Sequence, residues 1–80
     1  MEKIEVRSRI KKVISKVLSV DEQAIAENAN FVFDLGADSQ QSLELVAAFQ
    51  EEFNITMDED KAFSAQTVSQ AVDVISGYLN

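Results

Sequence analysis

The chain has 80 residues, with 7 Lys and Arg against 14 Asp and Glu, and it contains no His, Cys, Pro or Trp. This composition excludes a thiol nucleophile, a His general base, a disulfide framework and a Cys/His zinc site. The length fits one domain over residues 1–80, whose thin core argues against a deep substrate cavity.

The charges are unevenly distributed along the chain. Residues 1–20 hold six Lys or Arg against two Glu, whereas residues 21–80 hold Lys61 against twelve Asp or Glu. The acidic part should attract basic protein surfaces, and the net charge of -7 argues against nucleic acid. No apolar run is long enough for a membrane span or a signal peptide, so we expect a soluble protein of the cytoplasm or an organelle matrix. We also expect a monomer.

The first periodic segment predicts an amphipathic helix over residues 3–18. Basic residues occupy most of its other positions, and we interpret them as a solvated face, because so small a domain needs the apolar stripe for its core. The apolar positions with helical spacing are Val6, Ile10, Val13, Ile14 and Val17.

Residues 19–38 lose the helical period and predict a long loop with one short turn near residues 21–25. Scattered apolar residues suggest that this loop packs across the bundle. These residues are Val20, Ile25, Phe31, Val32, Phe33 and Leu35.

The second helix should begin at Ser39 and end near Phe53. Asp38 and Gln41 have the spacing of a capping box, in which each side chain accepts a backbone N–H of the other residue. An apolar stripe follows, and Leu43 and Ala47 widen it towards Ser39. The widened stripe is either a broad core face or an interaction surface. The narrower stripe consists of Leu45, Val46, Phe49 and Phe53.

Two further helices complete the chain. Acids at residues 58–60 suit the N-terminus of a short helix. Thr67 and Gln70 form a second capping-box spacing, followed by helical periodicity to the end of the chain. Without a strand pattern or an internal repeat, the sequence predicts an all-α four-helix bundle with a short third helix and a long loop between helices 1 and 2.

Ser39 is predicted at the first position of its helix, with an exposed hydroxyl. Without a nearby base this hydroxyl is a poor nucleophile, so Ser39 suits modification better than catalysis, and we expect a protein that is not an enzyme. A phosphate linked there would lie at the positive end of the helix dipole. Gly36 would let another backbone approach.

The segment LGADSQQSLELV at 35–46 resembles the prosthetic-group attachment segment of acyl carrier proteins. Similar segments occur in order and spacing over nearly the whole chain: VDEQAI at 20–25, FVFDLGADS at 31–39, EEFNI at 51–55 and TVSQAVDVI at 67–75. The resemblance implies that 4′-phosphopantetheine from coenzyme A esterifies Ser39 and carries acyl groups as thioesters. Asp38 would help the transferase to hold its metal and substrate.

The same resemblance implies a partner surface and a place for the acyl chain. The helix presented to a phosphopantetheinyl transferase, acyl-ACP synthetases, ketosynthases or acyltransferases would carry Leu43, Glu44, Val46 and Ala47. Basic patches on these enzymes would meet the acids Asp34, Asp38, Glu44, Glu51 and Glu52. The acyl chain would enter between helices lined by Leu45, Val46, Phe49, Ala62, Phe63, Val68 and Val72.

The chain departs from the family pattern at several positions. Gln40 and Gln41 replace a usual Leu and a frequent Asp, and Met57-Asp58 replaces Ile-Pro. Ala65 stands where Ile is usual, with Phe63 as a candidate to fill the space. These changes suggest a specialised carrier. We expect a carrier of fatty acid or lipid biosynthesis. The alternatives are a carrier of polyketide, aminoacyl or D-alanyl groups, and a helical adaptor or structural subunit.

Overall fold

The computed structural model describes residues 1–79, which form four α-helices. These are α1 (Lys3–Leu18), α2 (Ser39–Phe53), α3 (Glu59–Ser64) and α4 (Val68–Leu79). A single 3-10 turn at Glu22–Ala24 interrupts the long loop between α1 and α2. The all-α class, the short third helix and the long loop are therefore confirmed. Among the helices of these residues, none combines the length and apolar character that crossing a membrane requires.

Helix α1 is the centre of the bundle. Its side chains Val6, Ile10, Val13 and Ile14 are buried, and the helix packs against both α2 and α4. The apolar stripe predicted from the sequence thus forms the core. Burial of each such side chain contributes about 1.5–3 kcal/mol to folding.

The basic face of α1 is partly engaged in ion pairs. Three of its cations join it to acidic parts of the fold: Lys3 to Asp73 at 2.8 Å, Arg7 to Glu27 at 2.8 Å and Arg9 to Glu52 at 2.7 Å. The predicted solvated face thus also carries ion pairs, whose side chains remain partly exposed. These partly exposed pairs add at most about 1 kcal/mol each, and they connect α1 to α4, the long loop and α2.

The long loop packs across the bundle, as predicted, through Ile25 and Phe31, which are almost fully buried. Backbone hydrogen bonds tie it to the start of α4: the N–H of Phe31 donates to the carbonyl of Gln66 at 3.0 Å. For Val32 and Phe33 the prediction is wrong, because they are 52% and 87% exposed.

A hydrogen-bonded turn explains why these two apolar side chains lie outside. The Asn30 Oδ1 accepts the backbone N–H groups of Val32 and Phe33 at 2.9 and 3.0 Å. In return, the Asp34 carboxylate accepts the Asn30 N–H at 2.7 Å. Side chains that bond nearby backbone in this way stabilise turns. The backbone at Val32 and Phe33 is therefore fixed while their side chains point away from the core.

Helix α3 is held by side chains from both neighbouring helices. Asp58 caps it by accepting the N–H groups of Asp60 and Lys61, as expected for acids at a helix start. The Asp58 N–H donates to the Tyr78 hydroxyl of α4, and the N–H of Met57 donates to the Gln50 side chain of α2, both at 2.8 Å. This short helix is thus positioned by contacts outside itself.

Candidate functional site

Helix α2 begins at Ser39 with a complete capping box. The N–H of Gln41 donates to Asp38 Oδ1 at 2.7 Å, and the N–H of Asp38 donates to Gln41 Oε1 at 3.2 Å. The Ser42 hydroxyl donates to the carbonyl of Asp38 at 3.0 Å. These three bonds confirm the predicted helix start and hold the backbone on both sides of Ser39.

Ser39 is exposed at the first residue of α2. The first amides of a helix carry partial positive charge and lack intrahelical acceptors, which favours a phosphate ester at this position. Gly36 precedes it with a φ of +75°, in the left-handed region, and a side chain at that position would meet nothing within 4 Å. An exposed hydroxyl, a helix N-terminus and an open approach together fit a phosphate-linked group.

An apolar cavity of about 320 Å³ lies among α2, α3, α4 and the turn before α2. It includes Ser42, three residues along α2 from Ser39. The expectation of no deep cavity is therefore wrong. Its lining residues are Asn30, Phe31, Val32, Phe33, Ser42, Leu45, Val46, Phe49, Met57, Ala62, Phe63, Ala65, Gln66, Ala71, Val74 and Ile75.

The packing of the helices explains this cavity. Helices α2 and α4 both pack on α1, and within residues 1–79 they approach each other much less closely than they approach α1. Three of the side chains that line the space between them are the small residues Ala62, Ala65 and Ala71. The core of this chain is thin, but the arrangement of its helices still leaves an internal space.

The cavity lining differs from the expectation in two ways. Val68 and Val72 are 0% and 2% exposed and do not line the cavity, while Ala71 and Ile75, which belong to the same core, do line it. Phe63 lines the same cavity as Ala65 but is 42% exposed, so its ring covers that space only in part. The volume that the usual Ile would occupy at the position of Ala65 therefore remains part of the cavity.

The widened stripe of α2 is a surface rather than a core face. Leu43 is 58% exposed and Ala47 is also exposed. With Val46 they line a groove of about 290 Å³ between α2 and α3, which we call the α2–α3 groove. The sequence did not single out its other members for this surface, although Glu59 stands in the acidic run that begins α3. These members are Gln50, Met57, Glu59 and Phe63.

The five acids expected at the partner surface have different surroundings. Glu44 and Glu51 are exposed and form no ion pair with another of residues 1–79. The carboxylates of Asp34 and Asp38 accept backbone hydrogen bonds at 2.7 Å. Glu52 is held within the fold by Arg9. The structure thus separates two outward acids from three that also support local structure.

Arg9 fixes the C-terminal end of α2. Its Nε donates to the Glu52 carboxylate and its Nη2 to the Glu52 carbonyl, both at 2.7 Å. The guanidinium also stacks on the Phe53 ring, 4.8 Å from the ring centre. A basic partner surface would therefore have to compete with Arg9 for Glu52.

Taken together, an exposed serine at a capped helix start, outward acids and a nearby apolar cavity fit a small helical carrier. The family model for the phosphopantetheine attachment site matches residues 8–75, and the chain belongs to this family. It is a non-catalytic carrier protein with covalent 4′-phosphopantetheine, and phosphopantetheinyl transferases modify such proteins.

Proposed function

We propose that Ser39 is the residue to which 4′-phosphopantetheine is attached, within one carrier domain over residues 1–80. The observation that supports this proposal best is the exposure of Ser39 at the first residue of α2, inside the matched segment. When bound, the group supplies a terminal thiol that carries acyl groups as thioesters. The chain itself contains no Cys, so the sulfur comes from the cofactor.

Asp38 and Gly36 would assist attachment in different ways. Asp38 keeps Ser39 at the helix start through its bond to Gln41, and its negative charge would help a transferase to hold its metal and substrate. A side chain at Gly36 would meet nothing within 4 Å, and this open space three residues before the serine would let the transferase backbone approach.

The cargo that the fold suits best is an acyl chain of fatty acid or lipid biosynthesis. The cavity of about 320 Å³ is mostly apolar and lies at the lower end of the range for ligand pockets, about 300–1,000 Å³. A hydrocarbon chain gains free energy by leaving water for such a space, whereas an aminoacyl or D-alanyl group gains little.

The partners would be acyl-ACP synthetases, ketosynthases or acyltransferases with basic docking patches. Leu43 and Ala47 offer apolar contact at the α2–α3 groove, and Glu44 and Glu51 offer charge nearby on the same helix. Such exposed charges mainly accelerate encounter and make binding sensitive to salt. We propose a monomer that acts in the cytoplasm or an organelle matrix, where coenzyme A is available.

The first test is the intact mass after incubation with coenzyme A and a broad-specificity phosphopantetheinyl transferase. We expect one adduct on the native chain and on Ser42→Ala, and none on Ser39→Ala. Because Ser39 is exposed, its replacement should change stability by within about 0.5 kcal/mol. An adduct on Ser39→Ala would contradict the assignment.

Cargo and the adaptor alternative need separate measurements. The mass of the thioester formed with fatty acyl, polyketide, aminoacyl and D-alanyl ligases would identify the group carried. A helical adaptor would bind its partner equally well with Ser39→Ala. A carrier with this substitution would fold and carry nothing.

A further inference from the structure

Two exposed phenylalanines line the cavity from different parts of the fold. Phe33, in the turn before α2, is 87% exposed, and Phe63, in α3, is 42% exposed. Single apolar residues at a surface are ordinary, but these two belong to the same apolar cavity. Their rings therefore form the outer part of a space whose inner part is the protein core.

The position of Phe33 is fixed by the backbone around it. Its N–H donates to Asn30 Oδ1 at 3.0 Å, and Asn30 is bonded in return to Asp34 at 2.7 Å. Phe31, two residues earlier, is buried, and its N–H donates to the carbonyl of Gln66. An ordered turn thus holds an aromatic ring in water, where it adds little to the core.

The cavity continues inward from these rings to side chains that are almost fully buried. Leu45, Phe49 and Ile75 are 3%, 5% and 1% exposed and line the same space. A folded partner could contact only the exposed rings. A flexible hydrocarbon chain could contact the rings and also reach the buried side chains, and Ser42 brings the cavity within three residues of Ser39.

We propose that Phe33 and Phe63 bind the hydrocarbon chain of the cargo at the cavity mouth and make this carrier selective for long apolar acyl groups. The inference rests on the proposed attachment at Ser39. Acetyl or aminoacyl groups are too short or too polar to join the two rings to the buried lining. The two phenylalanines are therefore specificity-determining residues for the cargo.

Leu43 provides a contrast within the same region. It is 58% exposed, yet it lines the α2–α3 groove and not the cavity. Phe63 lines both, and Phe33 lines the cavity. If the exposed apolar residues served only protein docking, replacing Leu43 or either phenylalanine would have the same effect on how the cargo stabilises the protein. If the phenylalanines bind the cargo chain, only their replacement would reduce that stabilisation.

The test compares melting temperatures of protein loaded with acetyl or decanoyl groups against the unacylated, phosphopantetheinylated form. A ligand that binds only the folded state raises the melting temperature. We expect decanoyl to raise it in the native protein by several degrees and acetyl to leave it nearly unchanged. In Phe33→Ala and in Phe63→Ala the decanoyl effect should fall by about half or more, since apolar contact area is lost.

Leu43→Ala and Ile4→Ala are matched controls. Both remove an exposed apolar side chain outside the cavity, Ile4 being 68% exposed on α1. We expect both to keep the full decanoyl effect. Each variant is compared with its own unacylated form, so a general loss of stability cancels. Retention of the full effect in either phenylalanine variant would overturn the proposal, as would an equal loss in Leu43→Ala.

A second readout is direct contact. In the native protein, nuclear Overhauser effects should connect the decanoyl methylenes to the ring protons of Phe33 and Phe63, and their absence would also overturn the proposal. Intact mass confirms loading before each measurement. If no adduct forms at Ser39, the proposed attachment fails; if loading succeeds without ring contacts, only the selectivity proposal fails.

Discussion

The backbone N–H of Asp58 donates a hydrogen bond to the Tyr78 hydroxyl at 2.8 Å, joining the N-cap of α3 to the last turn of α4. Helix α3 has six residues, and none of the six is fully buried. A helix of this length is not stable by itself in water. Its position beside the cavity therefore depends on such anchors.

Tyr78→Phe should loosen α3 while leaving the rest of the bundle intact. The substitution removes the acceptor for Asp58 but keeps the ring over which Lys61 lies, 5.8 Å from the ring centre. We expect a loss of about 1 kcal/mol in the free energy of unfolding, measured in urea. Amides of α3 should exchange faster with deuterium while those of α1 keep their rates. Unchanged exchange in α3 would show that the hydroxyl is not an anchor.

The two glycines should respond to Ala in opposite directions. Gly36 has a φ of +75°, so Gly36→Ala should destabilise the protein by about 1–2 kcal/mol, although a methyl group there would meet no atom. Gly77 lies within α4, where a methyl group would also meet nothing. Gly77→Ala should stabilise the protein by about 0.5–1 kcal/mol, because Ala favours the helix.

Thermal and urea unfolding of both variants provide the comparison. Each substitution adds the same methyl group in open space, so a difference in sign isolates backbone conformation from packing. Equal effects at the two positions would mean that Gly36 does not need its left-handed conformation.

Ser76 is a buried polar residue whose hydroxyl is not satisfied by the described part of the fold. It is 4% exposed, and its Oγ has no hydrogen-bond partner among residues 1–79. Ser76→Ala should therefore be neutral or stabilising by up to about 1 kcal/mol. The matched control is Ser15→Ala, which removes a bond of 2.6 Å to the carbonyl of Val20. That variant should be less stable, and a similar loss at both sites would contradict this account.

Local chemistry made much of the fold predictable from the sequence. The apolar period of α1 and the two capping boxes depend on residues three or four positions apart, so they can be read along the chain. The bonds of Gln41 to Asp38 and of Gln70 to Thr67, at 2.7 and 3.2 Å, confirm the predicted starts of α2 and α4. Ser39 could be placed for the same reason, since its exposure follows from its position at a helix start.

The cavity and the exposed rings depend on relations between distant segments. The sequence does not give the separation of α2 and α4, which leaves the space lined by Ala62, Ala65 and Ala71. Apolar patterning alone predicts that the Phe33 side chain packs in the core. Its exposure results from the side chain of Asn30, which fixes the turn. The ion pair of Arg9 with Glu52 likewise joins residues 43 positions apart.

Two substitutions at Asp38 should separate its structural role from its charge. Asp38→Asn keeps a side-chain oxygen that can accept the Gln41 N–H, so stability should change by less than about 0.5 kcal/mol. Asp38→Ala removes that acceptor and should cost about 1 kcal/mol in urea unfolding. Both variants lose the negative charge beside Ser39.

If the charge of Asp38 helps a transferase, both variants should be modified more slowly. Loss of one hydrogen bond to a charged group is worth about 1.5–3 kcal/mol, which corresponds to at least about a tenfold fall in the rate of phosphopantetheine transfer. The rate is followed by intact mass, with Ser42→Ala as a control that keeps Asp38. A native rate for Asp38→Asn with a slow rate for Asp38→Ala would assign the effect to the helix cap, because only the cap differs between them.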